Sequence, residues 1–319
     1  LIKTLTNTNI ISQNSKNVHR WVAPTLKELR KRREKMGPEP LHKRSNFIDW
    51  NYNAEMFAFG KRLNEEFDRK LLEQAFTHRS FIQQEEQKQK ELGIEQPTTG
   101  LSDNEKLIEL GEQLVNTYVE AFLLASFPKI PNKFIKEIRN SLTSTSALAH
   151  ISSNLGTKDI ILSSDFPVEE LTLANTLKAI IGALMESSGE EKTYNFTRDF
   201  ICTQLNQKDV NTFYEIENPF ETLREYCADM KLKEPEPRLL GDAGRNTIFA
   251  TYNVGIYCDK KLIGEGFGEN IDIAIETASR DALARLFGTE VHMKPLNFKQ
   301  SLADILSSVQ RTKRKTDKL

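Results

Sequence analysis

The hydrophobic period of this chain changes once, and that change limits what it can fold into. From Trp50 to about Asn206 apolar residues recur at three- and four-residue spacing, as in Leu71, Leu72, Ala75 and Phe76, or Leu114, Val115, Tyr118 and Phe122. The spacing predicts helices, divided at Pro128, Pro131 and Pro167 and interrupted by a polar insertion at 84–103. The helical pattern pauses near 209–217, and a different pattern follows. A helix is predicted over 220–230, then strands over 235–242, 249–258 and 261–268, with Asp259 and Lys260 turning the second into the third. A closing helix over 273–287 has small residues at Ala274, Ala278, Ala282 and Ala284. A single barrel or a single helical bundle is excluded. The fold class is multidomain, α followed by α+β: an all-helical domain at 46–208 and an α-β-β-β-α domain at 209–289.

Charge divides the same chain differently. Through residue 45 eleven Lys and Arg stand against three Glu, and from 291 onward seven against two, which leaves 46–290 acidic by fourteen charges in a chain of net charge −1. Basic ends on an acidic body suit a protein that lays its arms along a polyanion, since each phosphate contact releases counterions. Arg30, Lys31, Arg32, Arg33 and Lys35 are the first candidates for RNA contact, with Lys43 and Arg44 beyond the MGPEP break at 36–40 and Lys313, Arg314 and Lys315 in a basic tail at 290–319. The alternative is that these runs are only solvated. The opening residues lack any acid before Glu28 and are rich in Thr, Ser and Asn, the composition of a mitochondrial import signal passing into a basic arm within 1–45. An ordinary polar tail is the competing reading.

No stretch approaches the roughly 18 apolar residues of a membrane-spanning helix; the best candidate, 179–185, is short and flanked by charge. Cys202, Cys227 and Cys258 form no CxxC pair, so neither a zinc site nor a disulfide framework is expected, and the thiols are read as partly buried and inert.

Three ordered motifs carry a family resemblance. LLEQAFTHRSF at 71–81, DNEKLIELGEQLVN at 103–116 and LANTLKAIIGAL at 173–184 resemble the ribonuclease III family, and the unit that follows resembles a double-stranded RNA-binding domain. The resemblance implies a metal-dependent phosphodiesterase site of four carboxylates. It places those positions at Ile108, Glu112, Asn175 and Lys178, of which Glu112 alone is a carboxylate and Lys178 is a cation. No nuclease activity, no metal and no cofactor are therefore expected, with Glu112 and Lys178 forming an ion pair where metal would sit. Glu105, Glu109 and Glu112 share one helical face and could hold a displaced metal; a solvated acidic face is the preferred reading. Glu109 stands where the family places an aromatic at its symmetric interface, so a homodimer is not expected. His78 is expected to be a packed, hydrogen-bonded residue rather than a catalyst.

The RNA-binding unit departs in the same direction. The resemblance implies a lysine run at the start of the last helix, where this chain has Ile271, Asp272, Ile273, Ala274 and Ile275, while the GEGFG turn at 264–268 keeps its glycines. The isoleucines offer apolar surface to another protein. With WNYNAEMFAFGKRL at 50–63, IIGALMESSG at 180–189 and VGIYCDKKLIGEGFGE at 254–269, the chain is similar to the ribonuclease-III-like family of the mitochondrial large ribosomal subunit. That resemblance implies a structural role in the matrix, with large-subunit rRNA and neighbouring ribosomal proteins as partners. The alternatives are an active endoribonuclease processing mitochondrial RNA and a free regulatory RNA-binding protein.

Overall fold

Among the described α-helices, side-chain caps start four and left-handed residues close three. The computed structural model describes residues 24–37, 42–94, 100–206, 208–245, 247–290 and 292–307. Two compact units result, one from Leu1 to Trp50 and one from Asn51 onward. In the first, α1 spans 24–36 with every residue exposed, and a 3-10 turn at Arg44–Asn46 follows. The Arg44 guanidinium lies 5.6 Å from the Trp50 ring centroid, within reach of a cation–π interaction. The import-like segment and Lys313, Arg314 and Lys315 lie outside the described residues.

In the second unit the Asn51 side chain accepts from the amides of Asn53 and Ala54 and starts α2 (Tyr52–Leu63). Asp68 caps α3 (Arg69–Phe76), and His78 caps α4 (Arg79–Glu91). The centre is α5 (Glu105–Ser126) crossing α8 (Glu170–Ser188), surrounded by α6 (Asn132–Leu142), α7 (Thr145–Leu155) and α9 (Glu190–Phe200). Val119 and Phe122 of α5 and Leu177, Ile180, Ile181 and Leu184 of α8 are fully buried, so the 179–185 run is core and not a span. No described helix is long and apolar enough to cross a membrane.

The crossing is close because two glycines permit it. A Cβ on Gly111 would strike the Lys178 carbonyl, and one on Gly182 would strike the Leu107 carbonyl. Backbone therefore meets backbone where the motif helices cross, which fixes the residues around 108–112 beside those around 175–178.

The remaining elements are α10 (Pro219–Asp229), β1 (Glu236–Ala243), β2 (Thr251–Cys258), β3 (Lys261–Gly268) and α11 (Ile271–Phe287). The antiparallel sheet has the order β1-β2-β3. Asp259 (φ 47°) and Lys260 (φ 65°) both take left-handed backbone, the two-residue turn that matches strand twist.

Several expectations need correction. The polar stretch at 84–103 is not wholly an insertion: α4 runs through it to Glu91, because Gln, Glu and Lys are good helix formers even without an apolar stripe. Strand β2 starts at Thr251, leaving Ile248 and Phe249 exposed before it, and α11 starts at Ile271. GEGFG is strand, as the 261–268 prediction has it, and not the turn that the resemblance implied. It is the body of β3, where Cβ atoms on Gly264, Gly266 and Gly268 would collide with α11 at Ala278 and Ala274. Glycine on the strand and alanine on the helix let α11 lie against the sheet at backbone distance.

The helical and α-β-β-β-α segments pack into the same unit. Phe134 of α6 meets Tyr214 at 4.8 Å and Phe287 at 5.9 Å between ring centroids, and the Tyr226 hydroxyl donates to the Lys129 carbonyl at 3.1 Å. The segment after α11 is not simply a basic tail from 290. Phe298 stacks on Phe122 at 5.6 Å, Arg198 donates to the Gln300 carbonyl at 3.1 Å, and Leu302 and Ile305 are buried. Apolar side chains spaced through this segment explain the docking; the basic residues further on dominated the composition.

Candidate catalytic face and nucleic-acid interface

The α5–α8 crossing brings together the four positions where the family resemblance puts metal-binding carboxylates. Ile108 and Asn175 are half-buried, and Glu112 lies on the exposed side of α5. The Lys178 ammonium is 3.2 Å from the Glu112 carboxylate; the Lys178 side chain is 18% exposed and the Glu112 side chain 53%. A largely buried cation thus takes its counter-charge from a carboxylate that remains half in water.

The neighbouring acids are committed elsewhere or alone. Glu105 accepts from Arg79 at 2.9 Å, which holds the guanidinium above its ordinary pKa. Glu109 is exposed. Among the described residues no group of three or more His, Cys, Asp and Glu is placed to hold a metal ion.

The other motif residues are structural. Asn104, 1% exposed, donates to the Ala75 carbonyl at 3.2 Å, and Gln74 donates to the Asp103 carbonyl at 2.8 Å, tying α3 to the start of α5. His78 is half-buried, its Nδ1 2.7 Å from the Ser80 hydroxyl and accepting from the Ser80 amide at 3.3 Å. The Ser80 hydroxyl in turn accepts from the Ser164 amide at 3.2 Å, while Thr77 and Leu162 form a parallel bridge. The Phe76–Ser80 stretch therefore clamps the 162–164 segment onto the helices; His78 is hydrogen-bonded as expected, but it is a half-buried helix cap rather than a core residue.

All three cysteines are free, as expected, and more fully buried than expected. Burial pushes the Cys202 thiol up to about 12 and the Cys227 thiol up to about 11, and the Cys258 thiol donates to the Lys233 carbonyl at 3.1 Å. Neither Cys202 nor Cys227 is poised as a thiolate.

The basic candidates split into paired and open groups. Along α1, Arg30 is tied to Glu34 at 2.9 Å and Lys31 to Glu28 at 3.0 Å. Lys27, Arg32, Arg33 and Lys35 are exposed on the same helix with no ion pair among the described residues. Two of the five cations in the 30–35 run thus carry an acidic neighbour one turn away, which spacing alone could have indicated. Ile271 and Ile273 are 48% and 45% exposed at the start of α11, and Ile275 is half-buried. The apolar surface predicted in place of a lysine run is present. The exposed Glu residues along α10 beside it drew no notice in the sequence, because helix-face acids at three- and four-residue spacing look like ordinary solvated charge.

Comparison with known proteins supplies what geometry alone does not. The family model described as "Large ribosomal subunit protein mL44, endonuclease domain" matches residues 51–184, and that described as "MRPL44 dsRNA-binding domain" matches 214–318. A Caenorhabditis elegans protein named large ribosomal subunit protein mL44 is 32% identical over 274 residues, covering 84% of this chain and 68% of its own length. Ribonuclease 3 of Bacillus licheniformis is 26% identical over 269 residues, covering 80% of this chain and 100% of its own length. Among solved structures, the nuclease domain of ribonuclease III from Campylobacter jejuni aligns with a TM-score of 0.40 at 26% identity, covering 49% of this chain and 99% of that one.

Proposed function

This chain belongs to the family of large ribosomal subunit protein mL44, and from that premise we propose that it is a structural component of the large subunit of the mitochondrial ribosome. The observation that carries the reading is an alignment with a ribosomal protein over 84% of this chain, together with family models of that protein matching 51–184 and 214–318. Its partners are large-subunit rRNA and adjoining ribosomal proteins. The exposed cations of α1, Lys27, Arg32, Arg33 and Lys35, are the RNA contacts within the described residues, with Lys43 and Arg44 following them in the chain.

The protein does not cleave RNA. Phosphodiester hydrolysis of this kind needs carboxylates that concentrate divalent metal at the reacting water and leaving oxygen. Ile108, Asn175 and the Lys178–Glu112 pair offer a neutral, self-satisfied surface instead. The ammonium of Lys178 takes the place of metal charge at the crossing of the two motif helices. Exposed Glu109 on α5 argues against a homodimer through that face.

Depletion of the chain from cells tests the role. The expected result is loss of assembled mitochondrial large subunits with small subunits retained; intact large subunits lacking the chain would overturn it. Incubating purified chain with duplex RNA and Mg²⁺ or Mn²⁺ tests the second statement. Cleavage abolished by Glu112→Ala would contradict it.

A further inference from the structure

The start of α11 faces the start of α10 across a shallow groove with an unusual lining. Phe220 and Ile275 are half-buried along it, and Ile271, one turn before Ile275 on the same face, is 48% exposed. Ile273 sits roughly 200° around the helix and does not share this surface. Around the apolar strip stand Glu217 and Glu221 from the α10 side and Asp272 and Glu276 from α11. The groove continues toward α6, where Glu137, Glu215 and Glu225 join Glu217 and Glu221, opposite the single cation Lys133.

Internal pairing neutralises little of this charge. Glu276 pairs with Arg280 at 2.9 Å. Glu137, Glu215, Glu217, Glu221, Glu225 and Asp272 have no ion-pair partner among the described residues. Glu221 and Asp272 also occupy the first turns of their helices, where their charges offset the positive ends of both helix dipoles and disfavour an external phosphate. In a particle built on RNA this face repels the backbone that surrounds it.

Charge and apolar exposure together select the occupant. We propose that this face docks a lysine- and arginine-rich segment of a neighbouring large-subunit protein, whose apolar side chains cover Ile271, Ile275 and Phe220 while its cations lie along the acidic rim. The proposal rests on the ribosomal reading above. The surface that a duplex-gripping domain would turn to RNA is here a protein-binding surface, and the domain is retained for that contact. Complementary charge fixes register and suppresses other partners, and the buried isoleucines supply the apolar contribution.

Photo-crosslinking in assembled particles tests it. The full chain carrying Ile271→p-benzoylphenylalanine is incorporated in cells, large subunits are isolated by sedimentation, and the isolated subunits are irradiated. The expected result is one dominant crosslink, to a ribosomal-protein peptide in which Lys and Arg clearly outnumber Asp and Glu. Adding Glu217→Lys and Glu221→Lys should lower its yield at least about tenfold, as reversal of two contacting charges predicts, with the chain still sedimenting with the subunit. Glu86→Lys, on α4, should leave the yield unchanged. A crosslink to rRNA, to an acidic or neutral peptide, to nothing, or one indifferent to charge reversal would overturn the proposal. Absence of the chain from the subunit before irradiation would overturn the ribosomal reading instead, and this inference with it.

Discussion

At the scale of single residues, the pair at the helix crossing is asymmetric, and the asymmetry is measurable. Lys178 is largely buried and Glu112 half exposed. Glu112→Gln leaves a buried ammonium without counter-charge and is expected to cost about 1 kcal/mol, after allowance for the exposed side of the pair. Lys178→Met leaves a carboxylate that water can reach and replaces a buried charge with an apolar chain of similar length; it should be neutral to within about 0.5 kcal/mol. Urea unfolding midpoints of the two variants decide the matter, and the reverse order would show that the pair is a surface feature. Gly111→Ala should cost more than either, about 3 kcal/mol or above, since the added methyl meets the Lys178 backbone rather than a movable side chain. The identities of these residues were readable from the motifs. Their ion pair followed from chemistry at aligned positions, whereas the backbone contact at Gly111 did not, because a glycine in a helical pattern carries no sign of what approaches it.

Elements were legible where periodicity was strong and hidden where composition masked it. The α5 and α8 stripes and the β2–β3 turn could be read in advance, since apolar spacing and a two-residue polar break have direct structural meaning. Helix α4 was obscured by its lack of buried residues. The 264–268 segment was legible as strand, but the close approach of α11 to it was not, because glycines suit both turns and close-packed strands. That packing makes a prediction: Gly266→Ala should lift α11 from β3 and destabilise the chain by about 2 kcal/mol or more, read as a lower thermal midpoint by circular dichroism, while leaving helix α1 unaffected. For α1 the prediction concerns salt. Changing Lys27, Arg32, Arg33 and Lys35 to Gln should reduce the slope of log affinity against log salt for large-subunit rRNA by up to about 3.6, at roughly 0.7 to 0.9 for each phosphate left without its cation. An unchanged slope would mark the helix as solvated surface.

At the scale of the whole molecule, the buried acids of the core set the alkaline limit. Burial raises the Cys202 thiol from 9.0 to about 12 and the hydroxyls of Tyr118, Tyr194 and Tyr214 from 10.0 to about 12. The folded state therefore holds these protons more tightly than the unfolded chain does. Their contribution is complete below about pH 9 and is lost progressively as pH rises to about 12, so the denaturation midpoint should be flat from neutral pH to about 9 and then fall. A midpoint still flat at pH 11 would contradict the buried placement of these groups.

The docking of 298–305 onto α5 and α9 ties the end of the described chain back to the helical segment, so the ribonuclease III-like and RNA-binding-like parts share one compact unit. Such a body suits a fixed place in a large particle, and the central claim is that it occupies one. Sedimentation of mitochondrial lysate through gradients at moderate and high salt, tracking this chain beside large-subunit rRNA, tests that claim most directly. Salt-resistant co-migration with the large subunit is the predicted result; a slowly sedimenting pool separate from the rRNA would contradict it.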